Sequence, residues 1–428
     1  MNRISINKSS PLKGDILVPG DKSISHRAAI FASIAEGESK IKNFLRAEDC
    51  MSTLGAMRSM GIETNFKGDY LSIKGAGMKG LHEPEDVIDA GNSGTTIRLL
   101  AGLLAGQDFY CVINGDSYLR KRPMSRVVHP LTKMGAKIWG REGGDKSPLA
   151  ILGSKLHGID YDSPIASAQV KSSILLAALS AEGKTTVREP YKSRDHTERM
   201  LLAMGIRGGD VDRGFYVEGG GTLRAHDIDV PGDISSAAFF IVAALIVERS
   251  EVRIRHVGVN PTRTGILDVL IQMGANIVLE NEAEVGGEPV ADIIVKSSSL
   301  KGVEIKGDII PRVIDEIPIL CVAASLANGK TVIRDAGELR VKESDRIRSM
   351  TSELTKLGAS VEELDDGMII VGRESLTGNV VNSLGDHRIA MSMAVSGLIA
   401  GSETIIEGAE SISISFPEFF NILSELQR

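Results

Sequence analysis

Six times along the chain, a helix of small and aliphatic residues runs into a turn and then a short β-branched strand. The six segments are "SHRAAIFASIAEGESKI", "TTIRLLAGLLAGQDFYCVI", "VKSSILLAALSAEGKTTV", "SSAAFFIVAALIVERSEVRI", "IPILCVAASLANGKTVI" and "RIAMSMAVSGLIAGSETII". The turn falls at Gly37, Gly106, Gly183, about Arg249, Gly329 and Gly401, in steps of 69, 77, 66, 80 and 72 residues. A second mark, the "MG" or "LG" ending at Gly61, Gly135, Gly205, Gly274 and Gly358, follows 22 to 29 residues after each of the first five turns. Two marks recurring in step indicate a structural repeat, which composition alone does not produce.

Each unit reads strand, apolar helix, strand, amphipathic helix, then two short strands such as "GDYLSI" or "DGMIIV". The sixth stops after its second helix, "FPEFFNILSELQR", so the N-terminal strands "RISINK" and "GDILVPG" are expected to complete it. Residues 1–18 would then join 231–428 in one lobe and leave 19–230 as the other, with the chain crossing at "VPGDKS" and "VPGDIS". The first helix of each unit is apolar on nearly all faces, and a helix without a polar face belongs inside. The predicted fold is a two-domain inverted α/β barrel, each domain three βαβαββ repeats with buried parallel helices and outer sheets.

The segments entering the buried helices are "PGDKSISHR", "AGNSGTTIR", "SPIASAQVKS", "PGDISS", "VIDEIP" and "GDHR". They are rich in Ser, Thr, Asp, Asn and Gly, which cap helices and leave N–H groups exposed for anions. Lys22, Arg27, Arg98, Lys171 and Arg388 add cations, as do the loops "RKRPMSR", "KSRDHTER", "PTRT" and "LRVKESDRIR". The 428-residue chain, 42% hydrophobic and 25% charged, nevertheless carries a formal net charge of −7. That balance argues against nucleic acid or an anionic membrane as partner and makes these loops a local site for a small, multiply anionic ligand. Asp315 and Glu316 read locally as caps. Lys342 and Arg346, four apart, read as like charges on one helical face that need an acid or an anionic ligand nearby. Cys50, Cys111 and Cys321 form neither a disulfide framework nor a zinc pattern. With no signal-peptide core in "MNRISINKSS" and no apolar run longer than Ala237 to Val247, a cytoplasmic protein is expected.

"PGDKSISHRA", "GNSGTTIR", "KRPMSR", "SAQVKS", "IDEIPIL", "VKESDRIR" and "GDHRIAMS", in this order across almost the whole chain, resemble the 5-enolpyruvylshikimate-3-phosphate synthase family. The resemblance implies two lobes of three units each and transfer of the enolpyruvyl group of phosphoenolpyruvate to the 5-hydroxyl of shikimate 3-phosphate. Phosphate leaves through a tetrahedral intermediate, with no metal or cofactor, and the lobes close over the substrates. It implies Lys22, Ser23, Arg27, Ser167, Ala168, Gln169, Arg194, Asp315 and Lys342 at shikimate 3-phosphate. It implies Lys22, Asn92, Gly94, Thr95, Arg122, Gln169, Arg346, His387 and Arg388 at phosphoenolpyruvate. Asp315, Glu343 and Lys22 are the implied catalytic groups, and Asp386 with His387 would orient Arg388 or assist proton transfer. A monomer is expected.

Three positions depart from many members: Ile414 stands where a Lys is usual, Glu338 where Asn is frequent, and Ala168 in place of a second Ser. These resemble the family's second class, which includes glyphosate-tolerant enzymes, whereas Gly94 is the small residue usual in glyphosate-sensitive ones. The sister enzyme acting on UDP-N-acetylglucosamine typically uses a mobile-loop Cys, and "CVINGDSYLRKRP" has only Cys111, on an apolar strand. A non-catalytic anion-binding solenoid would not need Asp315, Glu343 and Asp386 among its cations.

Overall fold

The computed structural model of the chain describes residues 3–428. Each repeat contributes one buried helix: α1 (Lys22–Ile34), α2 (Gly94–Ala105), α3 (Ala168–Ala178), α4 (Ile234–Ile246), α5 (Ile317–Ser325) and α6 (His387–Gly397). In α4 every residue from Ile234 to Leu245 is buried, as a helix with no polar face requires. Five of the six starts are capped by a side chain: Asp21 accepts from the N–H of Ile24, Ser93 from Thr96, Ser167 from Val170, Asp233 from Ser235 and Asp386 from Arg388. The exception is α5, where Glu316 makes no cap bond and Pro318 fills the first turn. The local cap reading of Asp315 and Glu316 is therefore not realised; their side chains are used elsewhere.

The second mark of the repeat has a backbone cause. Gly61, Gly135, Gly205, Gly274 and Gly358 all have φ between 84° and 100°, and each follows the outer helix of its unit. A left-handed residue closes the last helical turn onto its orphan carbonyls, and glycine adopts that conformation without a Cβ clash.

The chain divides into two compact units. One comprises Gly20–Val230 with Val285–Glu288, and holds α1 to α3; the other comprises the chain up to Pro19, Pro231–Glu284 and Pro289–Arg428, and holds α4 to α6. Each has its own continuous apolar core. In each four-stranded sheet the strand after the buried helix pairs in parallel with a short strand and antiparallel with a later one. Tyr110–Asn114, for instance, lies between Ile88–Asp89 and Lys146–Leu152.

The N-terminal strands depart from expectation. Arg3–Ile6 does complete the sixth repeat, pairing antiparallel with Thr404–Glu407. Lys13–Leu17 does not: it runs parallel to Glu251–Gly258 in the sheet of the fourth repeat. Correspondingly, Ile228–Asp229, which precedes the fourth repeat, pairs in parallel with Ile41 and Lys42 of the first. The chain changes unit after each of these leading strands, so the strand stays behind and serves the repeat that has lost its own. Among the described residues no helix is long and apolar enough to cross a membrane.

Candidate active site

In the unit holding α1 to α3, the helix starts form one polar layer. Gln169, in the first turn of α3, donates through Nε2 to Thr95 Oγ1 (2.9 Å) and accepts from Arg98 Nη1 (2.5 Å); Arg98 also donates to the carbonyl of Pro123 (3.0 Å). Arg122 donates to Asn92 Oδ1 (2.7 Å), and Asn92 in turn to Asp116 (2.7 Å). Gly94 lies beneath both guanidinium groups: a Cβ there would be 3.0 Å from Nη1 of Arg122 and 3.0 Å from Nη1 of Arg98. Lys22 pairs with Asp49 at 3.0 Å. Behind these groups His26, Thr53, Thr96 and Ser93 form a buried hydrogen-bonded chain tying α1 to the start of α2. Burial pushes the His26 imidazole down to about 3, so this link is uncharged.

Arg27 is 2% exposed, with all three guanidinium nitrogens engaged. Nε donates to Thr197 Oγ1 (2.7 Å), Nη2 to Ser172 Oγ (2.6 Å) and Nη1 to the carbonyl of Ser23 (2.9 Å). Burial pulls it down to about 10, with the Glu198 carboxylate opposing, so it stays a cation at neutral pH. Arg194 Nη1 lies 3.4 Å from Ser23 Oγ. Ser167, Ala168 and Gln169 open α3, where N–H groups of the first turn have no helical partner.

In the other unit the cluster centres on Arg346, 1% exposed. Its guanidinium meets Asp386 (Nε, 2.8 Å), Glu343 (Nη2, 2.6 Å) and Asp315 (Nη1, 3.2 Å). Burial works against its charge, but Asp386, Glu343 and Asp315 outweigh that and hold the group above its ordinary value. Burial likewise works against the Asp386 carboxylate, and Arg346 outweighs it, so Asp386 sits below the usual range. Lys342 reaches Asp315 at 3.5 Å. Arg388 Nη1 donates to the backbone carbonyl of Asp315 (2.9 Å) and lies 3.7 Å from Glu316. His387 is buried between Asp386 and Arg388.

Two readings of the cations need correction. Lys342 and Arg346 do not share a helical face, because the outer helix begins at Arg346 with Asp345 as its cap; they meet instead at the carboxylate of Asp315. Lys171 is not offered to a ligand: its ammonium is 2.8 Å from Glu189 and 2.7 Å from Glu198, all buried. Cys111 is buried on Tyr110–Asn114, and burial pushes its thiol up to about 12, which removes it as a nucleophile. Ile414 ends a 3₁₀ turn, half-buried, and brings no cation there. Among the described residues no group of three or more His, Cys, Asp or Glu could hold a metal ion. Asp49, Asp116, Ser172, Thr197 and Glu189 have no local sequence signal; they bond to Lys22, Asn92, Arg27 and Ser167, 22 to 170 residues away.

Basic and hydroxyl groups at capped helix starts, with carboxylates against buried cations, define a two-unit α/β enzyme class that binds multiply anionic substrates and moves protons. A family model for EPSP synthase (3-phosphoshikimate 1-carboxyvinyltransferase) matches residues 6–423. The chain is 57% identical over 423 residues to the 3-phosphoshikimate 1-carboxyvinyltransferase of Citrifermentans bemidjiense, covering 99% of each. It is 56% identical over 427 residues to that of Pelobacter propionicus, covering 100% of this chain and 99% of the relative. A solved EPSP synthase from Acinetobacter baumannii superposes with a TM-score of 0.89 at 46% identity, covering 99% of this chain and 98% of that one. The chain belongs to the EPSP synthase family, and its fold is the enolpyruvyl transferase fold of three βαβαββ repeats per domain.

Proposed function

We propose that the chain transfers the enolpyruvyl group of phosphoenolpyruvate to the 5-hydroxyl of shikimate 3-phosphate and releases phosphate. Family membership over residues 6–423 carries this reading, and the carboxylate of Asp315 set against Lys342 and Arg346 supports its chemistry. Ser23, Arg27, Ser167, Ala168, Gln169, Arg194 and Lys342 hold shikimate 3-phosphate. Asn92, Gly94, Thr95, Arg122, Gln169, Arg346, His387 and Arg388 hold phosphoenolpyruvate, and Lys22 serves both. Bidentate guanidinium groups suit carboxylate and phosphate, and dehydrated cations bind them strongly.

Protonation of C3 of phosphoenolpyruvate gives C2 cationic character. The 5-hydroxyl oxygen attacks C2 while Asp315 takes its proton, giving the tetrahedral intermediate. Loss of a proton from the new methyl group then re-forms the double bond as the C2–O bond to phosphate breaks. Glu343 and Lys22 carry the proton at C3. An anion bound by Arg346 draws on the guanidinium that Glu343 pairs with at 2.6 Å, so substrate loading weakens that pairing. Glyphosate, an anion of the same chemistry, is read as an inhibitor. The protein is read as a cytoplasmic monomer, residues 19–230 forming one lobe and 1–18 with 231–428 the other; its three cysteines are free and buried.

Phosphate release from phosphoenolpyruvate is the test. It should appear when shikimate 3-phosphate is added and not with UDP-N-acetylglucosamine; release with neither acceptor would return the protein to anion binding alone. Asp315→Asn should bind shikimate 3-phosphate nearly normally and lose ~10² to 10⁴ in turnover, the usual weight of one general base. Unchanged turnover would remove Asp315 from the chemistry.

A further inference from the structure

The reaction leaves Lys171, Glu189 and Glu198 unused, although their side chains are only 3%, 3% and 8% exposed. Ionic groups this dehydrated cost stability unless their geometry is good and their remaining lone pairs are filled. Glu189 meets that condition. It follows the strand Lys184–Arg188, and its Oε1 accepts from the backbone N–H of Ser167 (2.9 Å) and from Ser193 Oγ (2.7 Å). Its Oε2 faces Lys171 (2.8 Å), Ser193 Oγ (2.8 Å) and the Ser193 N–H (3.3 Å). One carboxylate thus grips the residue that starts α3 and the turn that presents Arg194.

The counter-ion closes the cluster. Lys171, one turn inside α3, also donates to the carbonyl of Ser193 (3.4 Å) and pairs with Glu198 at 2.7 Å. Next to Glu198, Thr197 accepts from Arg27 Nε and shares a hydrogen bond with Ser172 of α3 (2.7 Å). Arg27 and Lys171 therefore balance Glu189 and Glu198, and the balance matters. An uncompensated carboxylate behind Ser167 would repel a phosphate dianion across a water-poor layer.

We propose that Glu189, with Lys171 as its counter-ion, is a positioning residue for shikimate 3-phosphate, fixing Ser167 and Arg194 relative to each other. This rests on the assignment of Ser167 and Arg194 to that substrate. With its backbone N–H committed to Glu189, Ser167 offers its hydroxyl to the ligand, and Arg194 is held beside Ser23.

Steady-state kinetics of the full chain, each substrate varied separately, test it. Glu189→Gln removes the charge and one strong acceptor. It should raise KM for shikimate 3-phosphate about tenfold or more, the cost of a lost charge-assisted hydrogen bond, and should leave KM for phosphoenolpyruvate and kcat within about twofold. Glu189→Asp, which keeps the charge, should recover part of the loss. Ser193→Ala leaves the Lys171 pair in place and should raise the same KM less, which keeps the test open if Glu189→Gln fails to fold. Ser167→Ala run alongside separates the two ideas. If it leaves KM for shikimate 3-phosphate unchanged, the substrate assignment falls and the proposal with it. If it raises that KM while Glu189→Gln and Ser193→Ala do not, or while they shift both KM values and kcat together, the assignment stands and the positioning role is overturned.

Discussion

Gly94→Ala separates binding from stability in one substitution. The added Cβ would sit 3.0 Å from Nη1 of Arg122 and 3.0 Å from Nη1 of Arg98. Both atoms are the far ends of long side chains, so the guanidinium groups retreat by a few tenths of an ångström, Arg98 against its bond to Gln169, while the backbone stays. Gly94 is the first residue of α2 and its φ lies outside the left-handed region, so alanine fits the conformation. Replacing glycine at a compatible position stabilises by about 0.4–1 kcal/mol through the unfolded chain. Arg122, however, holds phosphoenolpyruvate on the present reading, and a displaced charge-assisted hydrogen bond forfeits part of its ~1.5–3 kcal/mol. A loss of about 1–2 kcal/mol is a five- to thirtyfold rise in KM for phosphoenolpyruvate. Thermal unfolding and phosphate-release kinetics on the same preparation read both signs: Tm equal or higher, KM for phosphoenolpyruvate up, and KM for shikimate 3-phosphate up less, through the bond from the displaced Arg98 to Gln169. A lower Tm would show that the side chains cannot yield, and an unchanged KM would show that their positions do not matter; either result refutes the reasoning.

Asp386→Asn should destabilise by about 3 kcal/mol at neutral pH, because it strips one of three carboxylates from a buried arginine. The folded Asp386 titrates below its unfolded value, so its contribution is complete above about pH 4 and fades as the pH falls further. Urea unfolding should therefore show a gap between wild type and variant that narrows below about pH 4; a gap constant down to about pH 3 would contradict the assignment. Phe419→Ala should cost about 3–5 kcal/mol, since the ring is fully buried at 5.5 Å from Phe240, 5.7 Å from Phe416 and 6.0 Å from Phe239. A loss under about 1 kcal/mol in the same assay would mean that the C-terminal helix is not part of that core.

The repeat was legible because two physical requirements leave marks in one dimension. A helix buried on all sides must be apolar throughout, and a helix stopped by a left-handed residue favours glycine, so Ala237 to Leu245 and the five "MG" or "LG" sites stand out. The exchange of leading strands left no mark: Ile228–Asp229 is two residues long, and nothing in it distinguishes one partner sheet from another. Asp345 did carry a capping signal ahead of Arg346, and placing the helix start there would have separated Lys342 from Arg346 at once. Lys171 misled for a deeper reason. Its segment carries the same polar start as the others, and what reassigns it is burial beside Glu189 and Glu198, 18 and 27 residues further on. Charge compensation across loops is a property of the packed fold and has no local pattern.

The two polar layers hold their cations in different ways. Around Arg346, the cations Arg346, Lys342 and Arg388 face the carboxylates Asp315, Glu343 and Asp386, so charge is nearly cancelled before any ligand arrives. A ligand anion that takes a share of Arg346 disturbs its pairing with all three carboxylates at once. That sensitivity is what acid–base work needs. At the starts of α1 to α3, by contrast, Arg27 is balanced within the Lys171 cluster and Lys22 by Asp49. Arg98 and Arg122 there donate to the side-chain oxygens of Gln169 and Asn92 and to the carbonyl of Pro123, which fixes both guanidinium groups in place. An anion entering this layer meets guanidinium groups already oriented, so its binding energy is spent on attraction rather than on ordering side chains. Hydrogen bonds from those arginines to Gln169 and Asn92 thus hold the forks in place before a ligand arrives.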